Sequence, residues 1–350
     1  MTILLVLWLK MRRLLSWESY YGKSPRRTLQ GGTDLVIQNI QDIAKKIADE
    51  IEIAIIGKRE TIETTVLALL CGGHILIEDV PGVGKTTLAK GVSRAIGGDF
   101  RRIQFTPDLL PSDITGSSIY NQTDQEFEFR PGPLFANVVL IDEVNRATPK
   151  TQSALLEAME EHQVSSDGVT RRLPEPFFVL ATQNNIEMTG TYPLPEAQLD
   201  RFFARVSLGY PSRQSERDIL KGHQEVNPVD RIQQVVQLSE LIEAQKTCRT
   251  VFVHDSLREY IVDIVAATRE TSQLALGASP RGSLYVMHAA QAKAAVDGVD
   301  FVRPDDVKAV APNVLGHRVI VRGEVRAKGL TGEDIVRQIM EGVASPVPVG

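Results

Sequence analysis

The chain has 350 residues, 43% of them apolar and 24% charged, with a formal net charge of −5. That composition is ordinary for a soluble mixed α/β protein with room for one large and one small domain. Cys71 and Cys248 stand far apart, and neither they nor the six histidines (His74, His162, His223, His254, His288 and His317) show the spacing of a metal site. A disulfide framework and a Cys/His metal centre are thereby excluded, leaving two free thiols as in a reducing, cytoplasmic setting. The mild negative charge gives no sign of general nucleic-acid affinity, although an acidic shell can enclose a basic pore.

In chain order, Ile3 to Leu9 is an apolar run too short to span a bilayer, and Lys10, Arg12 and Arg13 follow it, where a secretory leader carries its basic residues in front. The expectation for 1–32 is an extension that is disordered or reflects a misassigned start, with Met11 or a later codon as the beginning. Peripheral membrane attachment is the alternative. Gly31-Gly32-Thr33 reads as a linker into a helix on which Ile40, Ile43, Ile47 and Ile51 form one apolar stripe.

His74 to Ile77 reads as a short buried strand, and Leu88, Val92 and Ile96 recur at helical spacing up to Gly97-Gly98. Between them lies Glu78-Asp79-Val80-Pro81-Gly82-Val83-Gly84-Lys85-Thr86. A Gly-rich turn between a strand and a helix points backbone N–H groups at a phosphate, lets Lys85 reach the β- and γ-phosphates of a nucleotide, and offers the Thr86 hydroxyl to Mg²⁺. The pattern departs from the general P-loop at Asp79, where glycine is expected; a chance Gly-rich turn is the bland alternative. Ser118 to Arg130 alternates around Asn121-Gln122-Thr123-Asp124, and Gln163 to Leu173 around Asp167-Gly168, so two hairpins are expected.

Val138 to Ile141 is a second apolar run and ends in Asp142-Glu143. At the carboxyl edge of a parallel sheet Asp142 could hold Mg²⁺ through water and Glu143 could polarise the attacking water; a solvated acidic turn is the competing reading. Thr148-Pro149 predicts the start of a helix running through Leu155, Leu156 and Met159. A third run, Phe177 to Thr182, ends in Gln183-Asn184-Asn185, whose amides could orient a lytic water or merely form a turn. After Tyr210-Pro211-Ser212 the pattern becomes helical, with one stripe at Leu257, Ile261, Ile264 and Val265 and another at Leu284, Met287, Ala290 and Ala294. Asp305-Asp306-Val307 opens a further helix, while 323–332 and the tail from Ala344 read as mobile.

Together with Leu199-Asp200-Arg201-Phe202-Phe203 and Gly277-Ala278-Ser279-Pro280-Arg281-Gly282, these motifs resemble the AAA+ ATPases. The wording of Glu78–Thr86, Asp-Glu-Val-Asn-Arg-Ala, Ala-Thr-Gln-Asn and Gly-Ala-Ser-Pro-Arg resembles the MoxR family within them, over about Ile37 to Arg318. The resemblance implies a P-loop NTPase core, a three-layer αβα sandwich on a parallel sheet over 33–211, followed by an all-helical lid over 212–350. It implies ATP and Mg²⁺ as cofactors, with Pro81, Gly82, Val83, Gly84, Lys85, Thr86 and Thr87 around the phosphates and Ile56-Gly57-Lys58 beside the adenine. Thr86 and Asp142 would serve the metal, Glu143 the water, Asn184 the first sensor and Arg281 the second, on the lid. Asn185 stands where the family usually has proline, which leaves Asn184 and Gln183 both open as sensor. Arg201 would be an arginine finger offered to a neighbouring subunit, worth roughly 10³ to 10⁵ in rate in related systems, or else a structural ion-pair residue.

A trans finger implies a homo-oligomeric ring, by resemblance a hexamer. The client would be another protein, and MoxR-like ATPases are commonly chaperone-like partners of proteins with a von Willebrand factor A domain. Two other classes stay open. A nucleic-acid motor or loader is kept alive by Arg171-Arg172 in the second hairpin, and a slow nucleotide-gated binding module is the third reading.

Overall fold

The computed structural model describes residues 33–183, 190–222 and 227–346. The extension 1–32 and the sensor candidates Asn184 and Asn185 lie outside the described residues. The Cα framework separates into two compact units, one of Ile43–Lys246 and one formed by the chain up to Asp42 together with Thr247–Gly350. The change of pattern at Tyr210 therefore falls within the first unit.

In the first unit a five-stranded parallel sheet is built from β1 (Ile75–Glu78), β2 (Phe100–Gln104), β5 (Val138–Asp142), β8 (Phe178–Gln183) and β9 (Ala204–Val206), in the spatial order β2-β5-β8-β1-β9. Parallel neighbours need crossovers, and the crossovers cover the sheet, so its strands read as continuous apolar runs. Every residue of β5 is buried accordingly. Alternate residues serve opposite faces: Leu76, Val139, Ile141, Val179 and Ala181 join one apolar cluster with Leu155, Leu156 and Met159, while Ile75, Leu140 and Leu180 turn to the other face. The expected strand at His74 to Ile77 is β1, displaced by one residue.

Helix α1 (Thr33–Glu52) buries Ile40, Ile43, Ile47 and Ile51, the stripe the sequence predicts. Next come α2 (Arg59–Leu70) and, directly after the Gly-rich turn, α3 (Lys85–Ile96), which buries Leu88, Val92 and Ile96 and stops at Gly97 in the left-handed region. Past β2, a short helix α4 (Pro111–Thr115) leads into the first hairpin, β3 (Gly116–Asn121) against β4 (Glu126–Pro131), with Tyr120 opposite Phe127. Helix α5 (Pro149–Glu161) is followed by the second hairpin, β6 (Gln163–Ser166) against β7 (Val169–Arg172). Both predicted hairpins form. They are joined by a hydrogen bond from Ser118 Oγ to Asp167 Oδ2 at 2.6 Å and by the Arg171 guanidinium 3.7 Å above the Phe129 ring.

The second unit is helical apart from a small antiparallel pair, β10 (Leu274–Leu276) with β11 (Ile320–Val321). Helix α9 (Asp255–Glu270) buries Leu257, Ile261, Ile264 and Val265 as expected; it follows α8 (Leu238–Cys248), which comes after α6 (Glu196–Leu199) and α7 (Arg213–Gly222). The stripe proposed for α10 (Pro280–Val296) needs correction. Leu284 is exposed, and the buried positions include Gly282, Val286, Ala289, Ala290 and Ala294. Small residues let α11 (Pro304–Leu315) approach closely; a Cβ on Gly282 would stand 3.0 Å from Leu315 Cδ2. The Gly-rich stretch read as mobile instead forms α12 (Gly323–Arg326) and the start of α13 (Gly332–Gly342). Its order comes from a capping box in which Thr331 and Asp334 satisfy each other's backbone N–H groups.

Candidate functional site

The site begins with the geometry of one loop. Gly82 (φ +84°) and Gly84 (φ +101°) occupy the left-handed region open to glycine, and a Cβ on Gly84 would press to 3.2 Å from Ile55 Cδ1. Gly84 is also the residue ahead of α3, and no side chain caps that helix. The N–H groups of the first turn, at Lys85, Thr86 and Thr87, are therefore presented to whatever anion enters, at the positive end of the helix dipole.

Asp79, the departure from the expected glycine, has a structural reason. Its carboxylate accepts from the N–H groups of Leu208 and Gly209 and from Ser207 Oγ, tying the start of the loop to the chain just beyond β9. Its carbonyl accepts from Lys85 Nζ at 2.8 Å, so the ammonium is folded back onto its own loop. Burial pulls the Lys85 pKa below its ordinary value, opposed by the charges of Asp79, Asp142 and Glu143.

A cavity of about 370 Å³ opens at this loop. Pro81, Gly82, Gly84, Lys85, Thr86, Thr87, Asp142 and Glu143 line it, as do three residues to which the sequence reading gives no site role: Arg102, Gln104 and Thr182. Val83, Ile56 and Gly57 do not line it, though Lys58 beside them donates to the Tyr210 carbonyl at 2.9 Å. Strand order explains the convergence. β5 lies between β2 and β8, so Gln104 is in register with Asp142, and Thr182 arrives from the other side.

Around β5 the polar groups form one network. Asp142 accepts from Arg102 Nε at 2.5 Å and from Thr182 Oγ1 at 3.3 Å. The same Thr182 oxygen accepts from the Glu143 N–H at 3.0 Å. Glu143 adopts φ +57°, a left-handed conformation costing a non-glycine residue on the order of 1 kcal/mol or more. Its carboxylate accepts from Gln104 Nε2 at 2.7 Å and from Arg146 at 2.9 Å. Beside them Gln183, at the end of β8 opposite Glu78, has a buried Oε1 with no hydrogen-bond partner among the described residues.

The donor set fits a hard divalent cation. The Asp142 carboxylate and the Thr86 hydroxyl are oxygen ligands of the kind Mg²⁺ takes together with nucleotide phosphates, and Asp142 already holds one cation, the Arg102 guanidinium. The remaining candidates lie elsewhere. Arg201 follows α6 and pairs with Glu160 of α5 at 3.2 Å, beside a separate cavity of about 250 Å³, and does not line the first one. Arg281 stands in the first turn of α10, in the second unit. The two cysteines are free, and burial pushes the Cys248 thiol up to about 12. Among the described residues no helix is long and apolar enough to cross a membrane.

Comparison with known proteins agrees with this architecture. Residues 74–204 match the ATPase family associated with various cellular activities (AAA), and residues 266–339 match the AAA lid domain. Chaperone MoxR1 of Mycobacterium tuberculosis is 42% identical, over 90% of this chain and 85% of its own. The Bacillus subtilis protein YeaC is 49% identical, over 89% of this chain and 97% of its own. The crystal structure of a Cytophaga hutchinsonii protein superposes with a TM-score of 0.81 at 38% identity, covering 89% of this chain and 97% of that one. The matches to the AAA and AAA lid models, with 42% identity to Chaperone MoxR1 over 90% of this chain, place it in the MoxR family of AAA+ ATPases.

Proposed function

We propose that this ATPase hydrolyses ATP with Mg²⁺ as a homo-oligomeric ring, a hexamer, and spends the cycle on chaperone-like remodelling of a client protein. The observation that carries the reading is the position of Arg201. The phosphate-binding, metal-binding and water-polarising candidates share one cavity, and Arg201 lies outside it, beside a separate cavity of the same unit. Released from its ion pair with Glu160, a guanidinium so placed would serve the site of a neighbouring subunit rather than its own.

In this reading the uncapped N–H groups of α3 and the Lys85 ammonium bind the phosphates. Thr86 and Asp142 would hold Mg²⁺, which supplies positive charge against the phosphoryl oxygens. Glu143 takes the proton of the attacking water after exchanging its contacts with Gln104 and Arg146 for that water. Ile56 and Gly57 flank the adenine, Asn184 or the unsatisfied Gln183 amide senses the terminal phosphate, and Arg281 is the second sensor, on the lid. The hairpins meet the client, for which a protein with a von Willebrand factor A domain is the expected class. Phe127 and Tyr120 are exposed there, edge to face with centroids 5.3 Å apart. The motor reading drew on the Arg171-Arg172 pair, of which Arg171 is engaged on Phe129 and Arg172 is exposed; a protein client is preferred to nucleic acid on the likeness to Chaperone MoxR1.

Steady-state hydrolysis by the purified chain over a wide concentration range, with Glu143→Gln as the blank, tests the reading. Specific activity is expected to rise with concentration over a silent blank. A flat profile would remove the shared site, and activity equal to the blank would favour the slow binding module.

A further inference from the structure

The nucleotide cavity contains a cation that none of the motifs supplies. Arg102 projects from β2, one strand away from Asp142, and its Nε donates to Asp142 Oδ2 at 2.5 Å. The arginine side chain is 54% exposed and the aspartate 12%, so the guanidinium reaches a buried carboxylate from the open side of the cavity. Thr182 holds the other carboxylate oxygen. Arginine has five N–H donors, and among the described residues only the Nε of Arg102 is used. Arg102 lines the same cavity as Lys85 and Thr86.

We propose that Arg102 is a phosphate-binding residue of this site that neutralises Asp142 until a divalent cation replaces it there. The inference rests on the reading of Asp142 as a metal-holding residue. A nucleoside triphosphate entering without metal brings negative charge toward Asp142 and Glu143; Arg146 is paired with Glu143, which leaves Lys85 to oppose the charge of Asp142. With Arg102 on Asp142 that repulsion is removed, and the unused guanidinium donors offer charge-assisted hydrogen bonds to a phosphate oxygen. Metal and Arg102 then compete for one carboxylate, so Arg102 weakens the coupling between metal and nucleotide. That coupling is reciprocal: it can be read as the ratio of nucleotide affinity with metal to affinity without it.

The test is equilibrium binding of a fluorescent ATP analogue to the full chain, once in EDTA and once in Mg²⁺, for wild type, Arg102→Gln and Arg102→Lys. Arg102→Gln is expected to weaken binding in EDTA on the order of ten-fold, the worth of one charge-assisted hydrogen bond, and to change binding in Mg²⁺ far less, so that the ratio rises. Arg102→Lys should restore part of the EDTA affinity. An unchanged ratio in Arg102→Gln, including an equal loss in both buffers, would overturn the proposal and leave Arg102 as a structural partner of Asp142. Failure of the wild type to bind in either buffer would instead sink the nucleotide-site reading itself.

Discussion

In the proposed cycle the chemistry turns on Glu143 at the residue scale. It holds a left-handed backbone conformation, is fixed through its N–H by Thr182, and has its carboxylate engaged by Gln104 and Arg146. Glu143→Gln keeps the shape and a hydrogen-bonding amide but loses the base. Hydrolysis should fall by at least about 10²-fold with nucleotide binding retained, as single-turnover and equilibrium titrations would read; a surviving rate would assign the base elsewhere. A second residue acts on stability. His74 is fully buried, donating from Nε2 to the Met159 carbonyl at 3.0 Å and accepting at Nδ1 from the Val179 N–H at 3.1 Å. The neutral ring satisfies both partners, and burial lowers its pKa from 6.5 to about 4. As pH falls through that window the unfolded chain takes up the proton first. The contribution is whole above pH 6.5 and is lost toward pH 4, amounting to about 3 kcal/mol. Chemical denaturation at several pH values should show this slope in wild type and a flatter one in His74→Gln.

Among elements, the helices and strands that stand on strong periodicity were legible from residues alone: the Ile stripe of α1, the apolar runs of β5 and β8, the Gly-rich turn into α3, and both hairpins. What escaped was adjacency. Arg102 and Gln104 carry no local signal, and Thr182 reads only as the end of its run, because they meet Asp142 and Glu143 only through the order β2-β5-β8, which no short stretch of sequence encodes. The α10 stripe failed for a related reason. Leu284 and Met287 are the large apolar residues of that helix, yet the face against α11 is chosen by smallness, at Gly282 and the alanines. The Gly-rich stretch before α13 read as loose because the Thr331 and Asp334 cap was not weighed against its glycines. Packing of α10 on α11 predicts that Gly282→Val overfills the contact and destabilises the second unit by about 1 to 3 kcal/mol, visible as a lower denaturation midpoint; an unchanged midpoint would mean the helices part without cost.

For the whole molecule, one chain gathers a phosphate cradle, a carboxylate suited to a metal and a held glutamate into one cavity, while Arg201 pairs with Glu160 at another. That separation is the physical core of the proposed shared site, in which a single subunit would be an incomplete catalyst. The most direct measurement mixes two inactive variants. Lys85→Ala removes phosphate binding but keeps the arginine, and Arg201→Ala keeps the cavity but removes the arginine, so each alone should be nearly silent. Mixed at high concentration, subunits that pair in the right order form complete sites, and hydrolysis should return to a substantial fraction of the wild-type rate. A mixture as silent as its components, at concentrations where wild type is fully active and the variants co-assemble with it, would contradict completion of the site by a neighbouring subunit.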